Sequence, residues 1–421
     1  MLPGSSLPLA YFAFAHAGLI TACLVLVVYP GLPGAFFLHP RMVAVVHLVT
    51  LAWLSGSILG AFYIVAPLAL GMPFAVSWRD WIGWAAFLTG ATGMATHFWI
   101  GEYHGMAWSA GLVVGAIGWV GWRAAQGLPA APVPPAVKLH VALAFANVVV
   151  GATIGIVIGL GGAGLLLGAS PLSAVFAHAH VAAVGWVLML VVGLGYRLLP
   201  MILPAKPPTG AGLAASAFLI ETGLAIVVVS LLVADDWVGV GALAIGAGLA
   251  SFARRVRGML AHRLPRPPAL PSRDWAAWQV HGALAWIVVA LGLGLVLSVT
   301  PFGAIHVRIA WVYGVAGLVG GLSQIVVGMQ GRLVPFYAYY RAMAARRGAP
   351  PERSAHSLVS APFARAVFLL WTIGVPALAW GLAASDVVVI RVGSAILAAG
   401  VATGGAYLWR MLAVARAPMR S

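Results

Sequence analysis

Two histidines separated by one residue, His178 and His180, open the segment HAHVAAVGWVLMLVVGLGYRLLP. A third histidine, His47, opens a similar series 133 residues earlier. Imidazole nitrogens are common ligands of iron, copper and zinc. Because successive residues of a helix are about 100° apart, His178 and His180 point about 200° apart and cannot hold one metal from the same side. We therefore expect them to face two different pockets.

The chain repeats itself at a spacing close to 133 residues. Five residues of the first copy, His47, Trp53, Gly60, Tyr63 and Pro67, match His180, Trp186, Gly193, Tyr196 and Pro200. A third copy follows at a spacing of 135, with Gly328, Arg332 and Pro335 opposite Gly193, Arg197 and Pro200, and with Val315 at the histidine position. His16, His140 and His281 also fall early in equivalent segments. We expect the repeated glycines to admit a neighbouring helix backbone.

His47 and His180 are expected at the same depth in the protein, because they occupy equivalent places in two copies of the repeat. Two imidazoles at matched depth on neighbouring helices are what axial ligation of a haem b requires. Arg41, Arg308 and Arg391 lie outside the histidine level and are candidate partners for haem propionates, or else interfacial side chains. The alternative for each histidine is a buried imidazole hydrogen-bonded to a carbonyl or a tyrosine.

Other chemistry is limited by the residues that the chain contains. It has one cysteine, Cys23, so disulfides, thiolate zinc sites, iron–sulfur clusters and c-type haem attachment are excluded. A metal or haem would have to be held by His, Met or Tyr. Glu221 is the only carboxylate deep in an apolar segment, which makes it a candidate for a proton-transfer or pocket role. Its alternative is a protonated acid hydrogen-bonded to a neighbouring helix.

The composition places these residues in a membrane. Of 421 residues, 62% are apolar and 7% are charged, and the mean hydropathy is +1.03. So little polar surface cannot solvate a globule of this size, which excludes a soluble enzyme, a coiled coil and a disordered chain. The net charge of +15 is expected to record membrane orientation, and we expect no nucleic-acid partner.

Twelve apolar segments are each long enough to cross the bilayer as a helix. Their approximate spans are 8–30, 40–71, 80–101, 106–125, 138–163, 172–203, 210–233, 237–253, 275–298, 305–335, 362–383 and 387–410. With twelve spans, 20 of the 23 Lys and Arg residues fall on one side, all but Arg41, Arg308 and Arg391. The positive-inside rule then places both termini in the cytoplasm, and we expect a prokaryotic inner membrane.

The repeat divides these helices into three units of four, over residues 1–130, 131–266 and 267–421. We predict an all-α integral membrane fold with twelve transmembrane helices and a pseudo-threefold arrangement. The second helix of each unit would line inner pockets. All three units share one topology, unlike the inverted repeats of many transporters.

The motif HxHxxxxGW, followed by Gly, Tyr and Pro, resembles the tenth helix of the haem-copper oxidase catalytic subunit, most closely that of the cbb3-type. The resemblance implies a twelve-helix, pseudo-threefold membrane protein of a respiratory chain. It also implies that His178 binds a high-spin haem and that His180 shares a low-spin haem b with His47. The specific motif covers about 23 residues and lies on the sixth helix, whereas the family carries it on the tenth.

Nothing in the chain resembles the adjacent His-His pair of that family's copper site, so we expect no copper. Tyr313 and Gln324 are expected across the pocket from His178 instead. The leading hypothesis is a haem-b protein that transfers electrons or binds a diatomic gas, nitric oxide or dioxygen, with cytochrome c, a cupredoxin or quinol as donor. The alternatives are a terminal oxidase or nitric oxide reductase with an atypical metal site, and a twelve-helix transporter without haem.

Overall fold

The computed structural model describes residues 5–202, 205–233, 236–262, 264–265 and 273–416. Within these ranges the chain forms twelve long helices. They are α1 (Leu7–Val28), α2 (Pro40–Leu68), α3 (Trp78–Ile100), α4 (Tyr103–Gly127), α5 (Pro135–Gly159), α6 (Pro171–Met201), α7 (Ala214–Val233), α8 (Val238–Ala261), α9 (Trp275–Val299), α10 (Ala304–Ala345), α11 (Ala361–Ala384) and α12 (Val387–Arg416). The all-helical class and the twelve-helix count are confirmed.

Ten of the described helices are long and apolar enough to cross a membrane, and the chain is an integral membrane protein. The two others are α3 and α8. Helix α3 is rich in Trp, Gly and Thr, and α8 runs into Arg254 and Arg255, which lowers the mean hydropathy of both. That these two helices also cross the bilayer stays a prediction.

Local signals start the helices where the sequence predicts. Proline occupies the first turn of α1, α2, α5 and α6, where its missing N–H removes no helical hydrogen bond. The carboxylates of Glu102 and Asp274 accept backbone N–H groups in the first turns of α4 and α9. Ser77 and Asp80 form a reciprocal capping box at the start of α3.

The helices form a closed ring of neighbours. Each helix packs against the next one in the chain, and α12 returns to pack against α1. The closest pairs are the hairpins α3–α4, α7–α8 and α11–α12, the last two helices of each predicted unit. Glycines allow these approaches: a Cβ added at Gly223 would lie 2.6 Å from the Gly241 carbonyl oxygen.

One π-helical segment interrupts the second helix of each predicted unit. They are Leu48–Ser55 in α2, Val181–Leu188 in α6 and Val315–Ser323 in α10. The first two begin directly after His47 and His180. All three segments contact one another, so α2, α6 and α10 meet at their π-helical parts. π-helical segments are rare in proteins, and those that occur often lie at functional sites.

The repeated glycines do admit a neighbouring helix, as predicted. A Cβ added at Gly60, Gly193 or Gly328 would lie within 3 Å of Tyr11, His140 or Val280, each on the first helix of the same unit. The histidines of those first helices do not share their surroundings. His16 packs on Trp53, His140 packs on Tyr196, and His281 is exposed.

A buried carboxylate, Asp80 of α3, links helices α2, α3 and α4 at the end of the molecule opposite the histidines. Asp80 is fully buried and accepts hydrogen bonds from Tyr63 Oη at 3.0 Å and Trp119 Nε1 at 3.0 Å. Arg123 pairs with the same carboxylate at 2.6 Å, and the Ser77 backbone N–H and hydroxyl bind its other oxygen. Every carboxylate lone-pair direction is thereby used, as a buried charge requires.

Candidate functional site

The structure places His47 of α2 beside His178 of α6. Their ring centroids are 6.4 Å apart and the ring planes differ by 18°. At this separation the rings are too far apart for a van der Waals stack. Two metal–imidazole bonds of about 2 Å in line, plus the span from each nitrogen to its ring centre, give a centroid separation of roughly 6 Å. The pair therefore has the spacing of two imidazoles on one metal.

Hydrogen bonds orient both rings through the same nitrogen. His47 Nδ1 donates to the Val43 carbonyl at 2.8 Å, and His178 Nδ1 donates to the Gly151 carbonyl at 2.7 Å. Among the described residues, Nε2 of neither ring has a hydrogen-bond partner. A ring whose Nδ1–H is held by a carbonyl presents a lone pair on Nε2, which is the usual arrangement for a metal-binding histidine.

One face of α5 shapes the place of His178. Asn147, Gly151 and Gly155 follow at intervals of four residues and therefore lie on the same side of the helix. A Cβ added at Gly155 would lie 2.7 Å from His178 Cε1. Gly155 is thus required for the imidazole to lie against α5, while Gly151 supplies the carbonyl that orients it. On the other side, Phe98 of α3 packs on the His47 ring at 4.7 Å.

His180 faces a different neighbour, as the spacing of the motif predicts. Its Nδ1 donates to the Phe176 carbonyl at 2.7 Å, and its Nε2 is hydrogen-bonded to Tyr313 Oη of α10 at 2.8 Å. The resemblance pairs His47 with His180, but here the histidine beside His47 is His178. The sequence predicts Tyr313 across from His178, but Tyr313 lies against His180.

The third copy carries Tyr313 at the histidine position. Tyr313 follows His180 by 133 residues, the same interval that separates His47 from His180. The π-helical segment of α10 has nine residues, one more than those of α2 and α6. Gly314, which separates Tyr313 from this segment, and the added residue within the segment together change the spacing from 133 to 135.

Neither a protein-family model nor a curated protein sequence matches this chain. The function therefore has to be inferred from the geometry of the site itself.

The three arginines lie at the same end of the bundle as the histidine pair. The Arg41 guanidinium lies over the Trp99 ring at 5.0 Å. Arg391 Nε donates to the Val27 carbonyl at 3.1 Å, and Arg308 is exposed near the start of α10. All three keep exposed surface, so their cationic groups are accessible to an anionic group or to lipid headgroups.

Glu221 and Gln324 have different neighbours, and among the described contacts neither touches His47 or His178. Asn147 Nδ2 donates to Glu221 Oε2 at 2.8 Å, so the acid is hydrogen-bonded to α5 one turn from the Gly151 carbonyl that holds His178. Glu221 therefore adjoins the His178 pocket without contacting the imidazole. Gln324 is buried against α9, where a Cβ added at Gly282 would lie 3.0 Å from its Oε1. It contributes no contact to His178 among the described residues.

The polar turn between α3 and α4 is a helix cap. The backbone N–H groups of Gly105 and His104 donate to the Glu102 carboxylate and lower the pKa of this exposed acid. His97 Nδ1 is hydrogen-bonded to Ser109 Oγ at 3.2 Å. Both side chains therefore make local contacts within this turn.

Sequence reasoning missed Asn147, Gly151, Gly155 and the π-helical segments. A signal for the first three was present in NVVVGATIG, because polar and small residues at intervals of four mark a close helix contact. No residue pattern distinguishes the π-helical segments from regular helix.

Proposed function

We propose that the chain is a membrane haem-b protein in which His47 and His178 are the axial ligands of one iron. The supporting observation is the pair of nearly parallel imidazoles 6.4 Å apart, each with Nδ1 held by a carbonyl and Nε2 without a protein partner. The residues present fit the group, since haem b needs one imidazole on each face. Arg41, Arg308 and Arg391 are the candidate partners of its propionates.

The proposed activity is electron transfer. A bound haem supplies one-electron chemistry. His47 and His178 would hold the haem together, so binding of nitric oxide or dioxygen there would require one of the two histidines to withdraw. His47 and His178 are both fixed through Nδ1, which opposes that withdrawal. The donor would be a cytochrome c, a cupredoxin or quinol.

His180 is proposed to be a hydrogen-bonding partner of Tyr313 instead of an iron ligand. Its Nε2 already accepts the phenol, and ligation by His180 requires the phenol to leave. A second, high-spin haem would have to use His178 or His180 and so competes with these contacts. Copper remains outside the proposal, because no third histidine joins the pair among the described residues.

We propose that the fold is a pseudo-threefold assembly of the three four-helix units. Three observations support this arrangement. The third and fourth helices of each unit form a close hairpin, and the second helix of each unit packs through a glycine on the first helix. The three π-helical segments also contact one another. All twelve helices would cross the bilayer, with both termini in the cytoplasm of a prokaryotic cell and the histidine pair in the outer leaflet.

The test is the optical spectrum of the purified protein. We expect a reduced b-type α band, with one extractable haem b per chain. Purification of a colourless protein after expression with ample haem would contradict the proposal. A colourless protein that moves a solute across liposomes would support the transporter, and stoichiometric copper or non-haem iron with turnover would support the oxidase or reductase.

A glycine variant tests the support of His178. Gly155→Ala would place a methyl group 2.7 Å from the imidazole, so we expect the ring to shift and haem occupancy to fall several-fold. Gly115→Ala in α4 is the matched control, because its added Cβ meets no atom within 4 Å. Haem-to-protein ratios at equal yield are the measurement. Equal haem-to-protein ratios in the two variants would show that haem binding does not depend on the position of His178 against α5.

A further inference from the structure

The α7–α8 hairpin repeats the α3–α4 hairpin in the same register. A Cβ added at Gly90 of α3 would lie 2.9 Å from the Val113 backbone nitrogen of α4. A Cβ added at Gly223 of α7 would lie 2.7 Å from the Ile245 backbone nitrogen of α8. Gly223 follows Gly90 by 133 residues, and Ile245 follows Val113 by 132. The two hairpins can therefore be compared residue by residue.

Arg255 of α8 is the counterpart of Arg123 of α4, at the spacing of 132. Arg123 pairs with Asp80, which is the third residue of α3. The third residue of α7 is Ser216, and its hydroxyl is hydrogen-bonded to Tyr196 at 2.9 Å, as Asp80 is to the equivalent tyrosine of the first unit. The second unit thus keeps the arginine and the tyrosine but has a hydroxyl where the first unit has a carboxylate.

No other acid of the second unit takes the place of Asp80. The residue 133 positions after Asp80 is Leu213, and the start of α7 reads AGLAASA. The acids between residues 206 and 273 are Glu221, which is bound by Asn147, and the pair Asp235 and Asp236 in the connection from α7 to α8. The two segments 200–213 and 254–273 contain seven Lys and Arg residues and no acid. This end of the second unit therefore carries uncompensated positive charge.

The guanidinium of Arg255 is half-buried against the start of α7. A Cβ added at Gly212 would overlap with Arg255 Nη2, so the absence of a side chain at Gly212 makes room for the guanidinium. Arg255 Nε is buried and has no hydrogen-bond partner in the part of the chain that the structure describes. The ion pairs found there involve Arg123, Arg332 and Arg346. A partly buried cation without a counter-charge is unfavourable, which indicates an anion from outside the chain.

The chemistry of this place favours an oxyanion. A guanidinium presents a planar fork of N–H donors that matches two oxygens of a carboxylate or a phosphate. The first N–H groups of α7 lie at the same place, and the start of a helix favours negative charge. Met201 of α6 and Phe218 of α7 are exposed large apolar side chains a few residues from Tyr196 and Ser216. Where apolar surface meets a basic cluster at the end of membrane helices, the oxyanion at hand is a phosphate.

We propose that Arg255 and the start of α7 bind a phosphate group, which a phospholipid headgroup or free phosphate supplies. The phosphate would neutralise Arg255 as the Asp80 carboxylate neutralises Arg123 in the first unit. The site is separate from the proposed haem, because Tyr196 follows His180 by 16 residues, roughly 24 Å along α6. Phosphate binding therefore goes beyond the haem assignment and does not depend on it.

The test is titration calorimetry of the full chain in dodecyl maltoside micelles, with empty micelles as the reference. The three ligands are dioctanoyl phosphatidylglycerol, inorganic phosphate, and dioctanoylglycerol, which has the same acyl chains without a phosphate. We expect saturable binding of a phosphate-bearing ligand and none of dioctanoylglycerol. Binding of phosphatidylglycerol alone identifies a lipid headgroup, and binding of inorganic phosphate identifies a free anion. Equal binding of dioctanoylglycerol, or no binding of either phosphate-bearing ligand, overturns the proposal.

A matched pair of arginine variants locates the site. Arg255→Gln removes the charge and the fork of donors, so we expect binding to weaken about tenfold. Arg257→Gln removes a charge from an exposed position of the same helix and should bind as wild type. An equal loss of affinity in both variants would show that the ligand responds only to the general positive charge of this end, and the proposed site would be wrong.

A variant that supplies the missing carboxylate tests the comparison between the units. In Ser216→Asp, we expect Arg255 to pair with the new side chain as Arg123 pairs with Asp80, so that phosphate affinity falls about tenfold at full protein yield. Ala253→Asp, at an exposed position of α8, controls for added negative charge. A folded Ser216→Asp variant that binds the phosphate-bearing ligand as tightly as the wild type would contradict the proposal.

Discussion

Replacing His47 or His178 by alanine is expected to abolish the reduced b-type α band, whereas replacing His180 by alanine should leave it. The reason is geometric: the ring centroids of His47 and His178 are 6.4 Å apart, and His180 is hydrogen-bonded to Tyr313. Haem with one axial imidazole is held from one face only, so a six-coordinate low-spin spectrum cannot persist. Reduced-minus-oxidised spectra at equal protein yield are the measurement.

Two further variants make this result specific. Tyr313→Phe removes the hydrogen bond to His180 without touching the proposed ligands, and we expect it to keep the band. His281→Ala, at an exposed histidine, controls for the loss of an imidazole elsewhere in the membrane domain. If instead His180→Ala removes the band and His178→Ala keeps it, then His47 pairs with His180, as the resemblance implies, and the assignment made here is incorrect.

The largest stability effect is expected at Asp80. Asp80→Ala leaves Arg123 partly buried without its carboxylate and leaves Tyr63 and Trp119 without an acceptor. Removing one partner of a buried charge pair costs about 3 to 5 kcal/mol. The free energy of unfolding, measured by titration with dodecyl sulfate in mixed micelles, should fall by that amount.

An exposed ion pair provides the control for Asp80. Arg346 and Glu352 lie 3.8 Å apart and each side chain is 42% exposed. Glu352→Gln should change the free energy of unfolding by less than about 1 kcal/mol, because solvent screens the pair. A similar loss in both variants would mean that the Asp80 network contributes no more than a surface contact.

Much of the fold could be predicted from the sequence, because the length of each apolar run and the residues that interrupt it indicate where a membrane helix begins and ends. The prediction 275–298 compares with Trp275–Val299, and 172–203 with Pro171–Met201. Proline, glycine and charge clusters interrupt the apolar runs, and those residues do start and end the helices. The last turns of α8 and α10 were missed, since basic residues there resemble a loop but extend the helix.

The site was predicted only in part. The spacing of the histidines predicts that His178 and His180 point in different directions, because two residues of a regular helix span about 200°. Both residues belong to the regular helix Pro171–His180, and they have different partners in the structure. Which of them meets His47 depends on whether α2 or α10 lies on a given side of α6, and the order of helices around a ring is absent from residue periodicity. The role of Tyr313 was hidden for a second reason, because a register counted back from Gly328 shifts by two residues before it reaches Tyr313, one within the nine-residue π-helical segment and one at Gly314.

The π-helical segments also divide each central helix into a half that carries the imidazole or phenol and a half that carries the packing glycine. Each residue of an i→i+5 segment turns the chain by less than the 100° of an α-helix. Gaining or losing a residue there rotates the imidazole-bearing half against the glycine-bearing half while leaving both surfaces intact. In the third copy, where this segment is one residue longer, the same glycine contact with the first helix supports a helix that carries a phenol in place of the imidazole.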